Sequence, residues 1–477
     1  MNKVNKTRRQ ALGGLSALML SQLPGLARAQ GATPLKDRQP NIIFIMADDM
    51  GYADLSVYGQ PDFKTPNIDR LAEQGVRFTQ AYANSAVCSA SRFGLITGRY
   101  QYRLRGGLEE PLSGVASDIY GLPASHPTLP SRLKLAGYKT ALIGKWHLGN
   151  LPNFGPLKSG YDSFYGNYGP GLDYYTHKFG IGAAVPTDLY ENEVPADKAG
   201  YYTDLLGQRA VDFIDQQDRD KPYFLSVHYT APHWPWQAPG DDRPITSLIQ
   251  YDEGNLEIYA KIMISLDDSV GSILDALERS GQAENTIVIF TSDNGGERFS
   301  NVWPFSGQKT ELLEGGVRIP SLMRWPKKLK GGQVSSQVTV HMDWMPTLLA
   351  AAGGSPDPAY PSDGMNLMPI LMGASPNTPR TLFWRYKSNT QRAVRSGNFK
   401  YLKINGNEFL FDVVVDQCER ANLKAKYPDV FANLKAQWDS WNATMVPITA
   451  SVASHRLTPA VQADRYNPDT PVIFPAD

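Results

Sequence analysis

The chain has 477 residues, of which 42% are hydrophobic and 20% are charged, with 47 basic and 47 acidic side chains. This apolar fraction can bury a large core and excludes intrinsic disorder, and the length predicts about two or three structural units. The balanced charge gives no basic excess of the kind that nucleic-acid-binding proteins show. The two cysteines, Cys88 and Cys418, allow one disulfide at most and exclude a disulfide-dense scaffold.

The first 29 residues are expected to be a cleavable export signal outside the fold. They contain five basic residues and no acid, and an apolar stretch at residues 11–23 precedes Ala27-Arg28-Ala29, which has the form of a cleavage site. The pair Arg8-Arg9 resembles a twin-arginine signal, so the bacterial twin-arginine export machinery is an expected partner. An ordinary secretory signal and an uncleaved anchor are the alternatives.

The mature chain is expected to be periplasmic or secreted. Removing residues 1–29 leaves 42 basic and 47 acidic side chains, a net charge of −5. No later apolar run reaches the roughly 18 residues that a membrane-spanning helix needs. The sequence therefore predicts no membrane span in the mature chain and no nucleic-acid partner.

Helix and strand signals alternate along residues 30–376, which we interpret as one catalytic domain. Short apolar runs predict strands at residues 42–45, 76–78, 140–143, 223–227 and 287–290. Apolar helical segments that end in glycine lie at residues 65–75, 129–137, 274–281 and 348–353. Such apolar runs suit strands covered on both faces. The predicted fold class is α/β, with a large, mostly parallel central sheet flanked by helices.

The pattern changes in residues 377–477, which we interpret as a C-terminal subdomain. Short strands separated by Asn/Gly turns are predicted at residues 383–386, 391–395, 400–403 and 409–411, which is typical of a small antiparallel sheet. A helix is predicted at residues 427–441. Beyond residue 446 the periodicity fades, and the tail is expected to wrap the surface in extended form.

The predicted strands of the first domain end in polar residues. Open α/β sheets place their sites beyond the carboxyl ends of the strands, so these residues are expected to share one edge. In chain order they are Asp48-Asp49, Lys145 and His147, His228 and His233, and Asp293-Asn294.

The acids and the amide at this edge are candidate metal ligands. Asp48, Asp49, Asp293 and Asn294 offer only oxygen atoms, a set that favours Ca²⁺ or Mg²⁺ over zinc. The alternative is that the two acidic turns never meet.

Cys88 is a candidate nucleophile. Ser89 onward can begin a helix, which would place Cys88 at its positive end and Arg92 one turn along, an environment that stabilises an anion. From these residues alone, a buried and inert cysteine is an equal alternative.

Five blocks of the sequence resemble, in order, the motifs of the type I sulfatase family, in the alkaline-phosphatase-like superfamily. A weaker block at residues 410–423 resembles the family's C-terminal sheet, so the resemblance spans residues 40–425. The five blocks are residues 40–52 with Asp48-Asp49, residues 88–99 with Cys88 and Arg92, residues 144–149 with Lys145 and His147, residues 231–233 with His233, and residues 291–320 with Asp293-Asn294 and Lys309.

The resemblance implies a formylglycine, or 3-oxoalanine, at position 88. In the family a maturation enzyme oxidises the motif cysteine, so a formylglycine-generating enzyme is an expected partner. The aldehyde hydrate is a diol: one hydroxyl attacks sulfur and releases the alcohol, and the other, deprotonated by His147, expels sulfate. The commonest motif has proline where this chain has Ala90; an alanine variant occurs in the family, and the difference bears on which maturation enzyme acts.

The resemblance also implies roles for the surrounding residues. Asp48, Asp49, Asp293 and Asn294 would hold Ca²⁺, with Mg²⁺ as the alternative, and the diol at position 88 would bind the same ion. Arg92 would orient the diol. Lys145, His233 and Lys309 would neutralise the sulfuryl oxygens, with His233 or Lys309 protonating the leaving oxygen.

The implied activity is hydrolysis of sulfate monoesters, aryl or carbohydrate. A phosphonate monoester or phosphodiester hydrolase of the same superfamily, and a non-catalytic periplasmic anion- or sugar-binding protein, are the alternatives. Aromatic residues at 161–175 and beside His233 could stack on a ring or simply pack under a loop. Arg103 and Arg105 could bind a second anion or be solvated. Cys418 is expected to be a structural or free thiol.

Overall fold

The protein is described by a computed structural model over residues 38–241, 243–247, 253–458 and 462. The expected export signal at residues 1–29 lies outside the described residues. Within them, no helix combines the length and apolar character needed to cross a membrane.

The secondary structure alternates between strands and helices before the small terminal sheet. The strands are β1 (Asn41–Ala47), β2 (Val76–Tyr82), β3 (Lys139–Gly144), β4 (Ser163–Gly166), β5 (Tyr190–Glu191), β6 (Val194–Pro195), β7 (Tyr223–His228), β8 (Thr286–Ser292), β9 (Arg318–Arg324), β10 (Gln333–Ser335), β11 (Thr339–Val340), β12 (Thr381–Tyr386), β13 (Gln391–Ser396), β14 (Phe399–Ile404) and β15 (Asn407–Asp412). The helices are α1 (Pro66–Glu73), α2 (Cys88–Thr97), α3 (Leu129–Leu135), α4 (Tyr202–Asp215), α5 (Leu256–Arg279), α6 (Glu314–Val317), α7 (Trp344–Ala351), α8 (Met368–Leu371) and α9 (Pro428–Asn442).

The central sheet of the described residues runs in the order β10-β2-β9-β8-β1-β7-β3-β4-β5-β6, and β11 also pairs with β2. Strand β1 is parallel to both β7 and β8, and β3 is parallel to both β7 and β4. Strand β9 is antiparallel to β2 and β8, and the β5–β6 edge is also antiparallel. The prediction of a large, mostly parallel sheet is confirmed, and all five predicted strands lie within it.

Both faces of the sheet are covered. Ile43 and Ile45 of β1 belong to one apolar cluster, and Ile42 and Phe44 belong to another. Because successive side chains of a strand point to opposite faces, this alternation divides the core into two layers. The uninterrupted apolar runs of the sequence are therefore the signature of a sheet buried on both sides.

One helix is much longer than the sequence predicted. Helix α5 has 24 residues, and the predicted segment at 274–281 covers only its end. The buried Asp267 interrupts its apolar stripe, which hid the helix from the periodicity argument. Asp267 caps α1 from outside, accepting hydrogen bonds from the amides of Asn67 and Ile68 at 3.1 and 2.8 Å. Thr65, the N-cap residue of α1, makes no side-chain capping bond.

The small sheet forms as predicted, in the order β12-β13-β14-β15 with antiparallel pairing throughout. A fully buried ion cluster connects it to the large sheet. Lys400 of β14 donates to Glu314 at 2.9 Å and lies 2.9 Å from Glu419. Glu314 also accepts from Tyr82 of β2 at 2.6 Å. Burial raises the pKa of Glu419 to about 7.

We expect Lys400→Ala to lower the free energy of unfolding by about 3 kcal/mol or more, because it leaves two buried acids without their shared cation. Urea denaturation measures the change. The matched control is Lys261→Ala, which removes an exposed helical pair with Glu257 and should change the free energy of unfolding far less. Equal effects of the two substitutions would show that the buried cluster contributes nothing beyond a surface pair.

Candidate active site

The carboxyl ends of β8, β1, β7 and β3, which are neighbours in the sheet, place the predicted strand-end residues at one edge, and α2 and the loop before α6 add Cys88, Arg92 and Lys309. The backbone keeps these loops together. The amide of Asp48 donates to Ala231 O at 3.1 Å, and the amide of Lys145 donates to His228 O at 2.8 Å. Every sequence-predicted site residue at this edge is buried. The alternative in which the acidic turns never meet is wrong.

Three carboxylates converge at the centre of the site. Asp48, Asp49 and Asp293 each bring an oxygen within 4.8 Å of the others. Asp49 has a φ of +62°, a left-handed conformation that is uncommon outside glycine. Its amide donates to Asp293 Oδ1 at 3.2 Å, and its Oδ1 accepts from Asn294 Nδ2 at 2.8 Å.

The donor atoms of this cluster suit a hard divalent cation. Asp48 Oδ1 and Asn294 Oδ1 are buried and have no hydrogen-bond partner in the described part of the chain. Buried oxygens without a donor carry a desolvation cost, which a bound cation would offset. Carboxylate and amide oxygens are the ligands that Ca²⁺ and Mg²⁺ prefer.

Three basic side chains compensate the carboxylates. Arg92 of α2 donates through Nε and one terminal nitrogen to Asp293 Oδ2 at 3.1 and 2.8 Å. Lys145 Nζ donates to Asp48, and Lys309 Nζ donates to Asp49. Burial alone would raise the pKa of Asp293, but Arg92 and Lys145 outweigh it and hold that pKa well below its usual range.

Cys88 is the first residue of α2 and lies fully inside the cluster. Its Sγ is 4.0 Å from Asp49 Oδ1. Burial, followed by the charge of Asp48, raises the pKa of the Cys88 thiol well above its ordinary value. For the unmodified cysteine, burial and the neighbouring acids thus favour the neutral thiol, against the lowering effect of Lys145 and Lys309.

Two histidines face the same centre. His147 Nε2 lies 2.9 Å from the carbonyl of Leu112, which can only accept, so Nε2 carries the proton; Nδ1 has no partner among the described residues. His233 bonds the carbonyl of Trp234 through Nδ1 at 2.6 Å and places Nε2 3.5 Å from Asp49. Burial lowers the pKa of both imidazoles, so both are neutral.

A cavity of about 350 Å³ opens above Cys88, within the size range of small-molecule sites. Sequence reasoning missed three of its lining elements: Glu110, Glu297 and the tail residues 453–455. Glu297 lies 3.3 Å from Lys309 Nζ. It follows Asp293-Asn294 within one block, which was a usable signal, whereas nothing in the local sequence marks the tail.

Several residues proposed from sequence for recognition have structural roles instead. Tyr161 is buried and stacks on Phe224. Arg103 forms a bidentate pair with Asp363, and Arg105 pairs with Glu109. Trp236 is also buried, but Trp234 lines the cavity. Cys88 and Cys418 are both free thiols, and Cys418 lies in the loop after β15, where its Sγ is 3.0 Å from Pro304 O.

Comparison with known proteins agrees with this geometry. The family model described as Sulfatase matches residues 40–355, and that described as N-sulphoglucosamine sulphohydrolase, C-terminal, matches residues 307–443. Human N-acetylgalactosamine-6-sulfatase is 37% identical over 382 residues, which are 76% of this chain and 71% of the relative. Mouse arylsulfatase J is 31% identical over 486 residues, covering 90% and 80%.

A solved structure is also similar over most of the chain. Ps i-CgsB in complex with k-i-k-neocarrahexaose superposes with a TM-score of 0.78 at 30% identity, covering 89% of this chain and 96% of that one. The chain belongs to the sulfatase family of the alkaline-phosphatase-like fold. It is an enzyme that hydrolyses sulfate esters.

We expect Asp49→Asn and Asp293→Asn to lower the content of bound Ca²⁺ or Mg²⁺, because each removes a charged oxygen ligand. Elemental analysis of the purified protein measures the loss. Chelation should also lower the melting temperature of the wild type by several degrees, since a cation that binds only the folded state stabilises it. Asp62→Asn, at an exposed position, is the control. Zinc in the wild type, or unchanged metal in both variants, would contradict an oxygen-ligand site.

Proposed function

We propose that this sulfatase cleaves the sulfate ester of a carbohydrate hydroxyl with a formylglycine formed from Cys88. The observation that carries the proposal is a buried cysteine at the start of a helix, surrounded by three carboxylates and three basic side chains. These residues are Asp48, Asp49, Asp293, Arg92, Lys145 and Lys309.

The relatives and the cavity support a carbohydrate substrate. The relatives include sulfatases named for N-acetylgalactosamine 6-sulfate, and the similar solved structure holds a neocarrahexaose. The cavity above Cys88 combines the Trp234 ring with polar groups of Glu110, Glu297 and His455. A ring face with hydrogen-bonding groups around it suits a sugar.

A divalent cation and a modified residue at position 88 would complete the chemistry. Asp48, Asp49, Asp293 and Asn294 fit a divalent cation, which we propose to be Ca²⁺, with Mg²⁺ as the alternative. Formylglycine at position 88 would supply a diol as the nucleophile, and the cation would supply positive charge for the sulfuryl oxygens.

The chain's own residues orient the reactants and move the protons. Arg92, one turn beyond position 88, is fixed by Asp293 and lies where it can orient the nucleophile. Lys145 and Lys309 bring ammonium groups that neutralise charge on the sulfate. His147 offers an unprotonated Nδ1 that can accept a proton from residue 88. Lys309, and His233 once its Nε2 has been protonated, are the candidate donors to the leaving oxygen.

Export and maturation complete the proposal. Residues 1–29 would direct the chain through the twin-arginine machinery to the periplasm or the exterior, and a formylglycine-generating enzyme would oxidise Cys88 despite Ala90. We further propose that residues 30–376 carry the chemistry and that residues 377–477 form a supporting subdomain.

We expect Cys88→Ala and Cys88→Ser to retain the fold and lose nearly all turnover, because nucleophile and leaving mechanism disappear together. The assay is hydrolysis of 4-nitrophenyl sulfate and N-acetylgalactosamine 6-sulfate, with phosphate and phosphonate esters in parallel. Cys418→Ala, the other cysteine of the chain, is the matched control and should stay active.

The mass of the peptide containing residue 88 tests the modification itself. A formylglycine or its hydrate in the active protein supports the proposal. An unmodified cysteine in protein of full activity, or more than a few per cent activity in Cys88→Ala, would contradict it.

We expect His233→Ala to reduce kcat/KM more on a sugar sulfate than on 4-nitrophenyl sulfate. A nitrophenolate leaves without a proton, whereas a sugar alkoxide needs one, and general acid catalysis is typically worth about 10²- to 10⁴-fold. Lys309→Ala, measured beside it across a series of leaving groups, identifies which residue donates. Equal losses on every leaving group in both variants would leave these residues with sulfate binding alone.

A further inference from the structure

We propose that the tail segment at residues 452–455 forms one wall of the substrate cavity, and that the His455 imidazole hydrogen-bonds the sugar beyond its sulfate group. This inference rests on the proposed carbohydrate sulfatase function and assigns a specificity residue to it. In the sequence, residues 452–455 are far from every motif of the catalytic centre.

The segment faces the catalytic residues across the cavity. Ala453, Ser454 and His455 line the same space as Cys88 and Lys309. A neighbouring cavity of about 160 Å³ is lined by Ser451 and Ala453 together with His147. The two cavities share Leu112, Ser113 and Ala453, so the tail borders both the cavity lined by His233 and the cavity lined by His147.

Hydrogen bonds to Glu109 and Glu110 hold one side of the segment. Ser454 pairs with Glu110 in a parallel bridge; the amide of Glu110 donates to Ala453 O at 3.0 Å, and the amide of His455 donates to Glu110 O at 2.7 Å. The amide of Ala453 donates to Glu109 Oε2 at 2.9 Å. Ser454 Oγ donates to Glu110 Oε2 at 2.6 Å. The tail is thus paired like a short strand.

The small sheet fixes the segment from the other side. Tyr386, the last residue of β12, donates its hydroxyl to His455 O at 2.8 Å. The amide of Ser388 donates to Ser454 Oγ at 3.0 Å, and Lys387 Nζ donates to Ala450 O at 2.8 Å. A loop held on both sides is preorganised, which lowers the entropic cost of binding a ligand.

The anchoring leaves the imidazole of His455 available. Its backbone amide and carbonyl are both bonded, while its side chain is exposed and has no hydrogen-bond partner in the described part of the chain. Partial desolvation, followed by the charge of Lys309, lowers the pKa of this imidazole. An imidazole offers one donor and one acceptor, which matches the hydroxyl groups of a sugar held by its sulfate at Lys309.

The test measures the ratio of the affinity for a sugar sulfate to the affinity for inorganic sulfate, which we call the preference for the sugar sulfate. It uses full-length Cys88→Ala protein, because this variant lacks the nucleophile and leaves the ligand intact. Calorimetry gives the Kd for N-acetylgalactosamine 6-sulfate and for inorganic sulfate, which reaches only the sulfate position. His455→Ala and His455→Phe should each lower the preference for the sugar sulfate about 3- to 10-fold, the effect of one lost hydrogen bond. His455→Gln, which keeps a donor and an acceptor, should restore part of it.

Arg456→Ala is the matched control, because Arg456 is the next residue, is exposed and directs its side chain to Asn389 at 3.4 Å. Two results would overturn the proposal: a preference within twofold of the parent in every His455 variant, or no preference for the sugar sulfate in the parent itself. Turnover of sulfate esters by the wild type is a separate measurement, so failure of the sulfatase proposal and failure of this inference are distinguishable.

Discussion

The mutual repulsion of three buried carboxylates is the constraint on which the site depends. Asp48, Asp49 and Asp293 have almost no contact with solvent, so their charge must be compensated within the protein. Arg92, Lys145 and Lys309 supply that compensation from three separate segments, each directed at one acid. Cys88, the three acids and the three basic side chains are thereby brought into one buried cluster, where electrostatic interactions are stronger than in water.

The sheet order makes this convergence achievable. Strands distant in sequence, β1, β7 and β8, are parallel neighbours, so their carboxyl ends deliver acids and histidines side by side. The loop that carries Lys309 continues to Glu314, which is held by Lys400 of the small sheet. The small sheet therefore supports the loop that carries the Lys309 ammonium group, and the three carboxylates lie outside that sheet.

The sequence predicted correctly those parts of the fold in which an apolar run is followed by polar residues. Runs of three to five residues identified the central strands, and the polar residues after four of them identified the edge at which the three carboxylates meet. Helix α5 was underestimated because Asp267 serves another helix, a tertiary role that periodicity does not contain. The tail wall was missed for the same reason: residues 453–455 acquire their place from Glu110 and Tyr386, which are remote in sequence.

The residues proposed for the chemistry and some of those proposed for recognition come from separate stretches of this chain. The groups proposed to act on sulfate are distributed over residues 48–309, whereas residues 453–455, proposed to face the rest of the ligand, are attached through hydrogen bonds to Glu109 and Glu110. Substitution within residues 453–455 would therefore change one wall of the cavity without replacing any member of the carboxylate cluster.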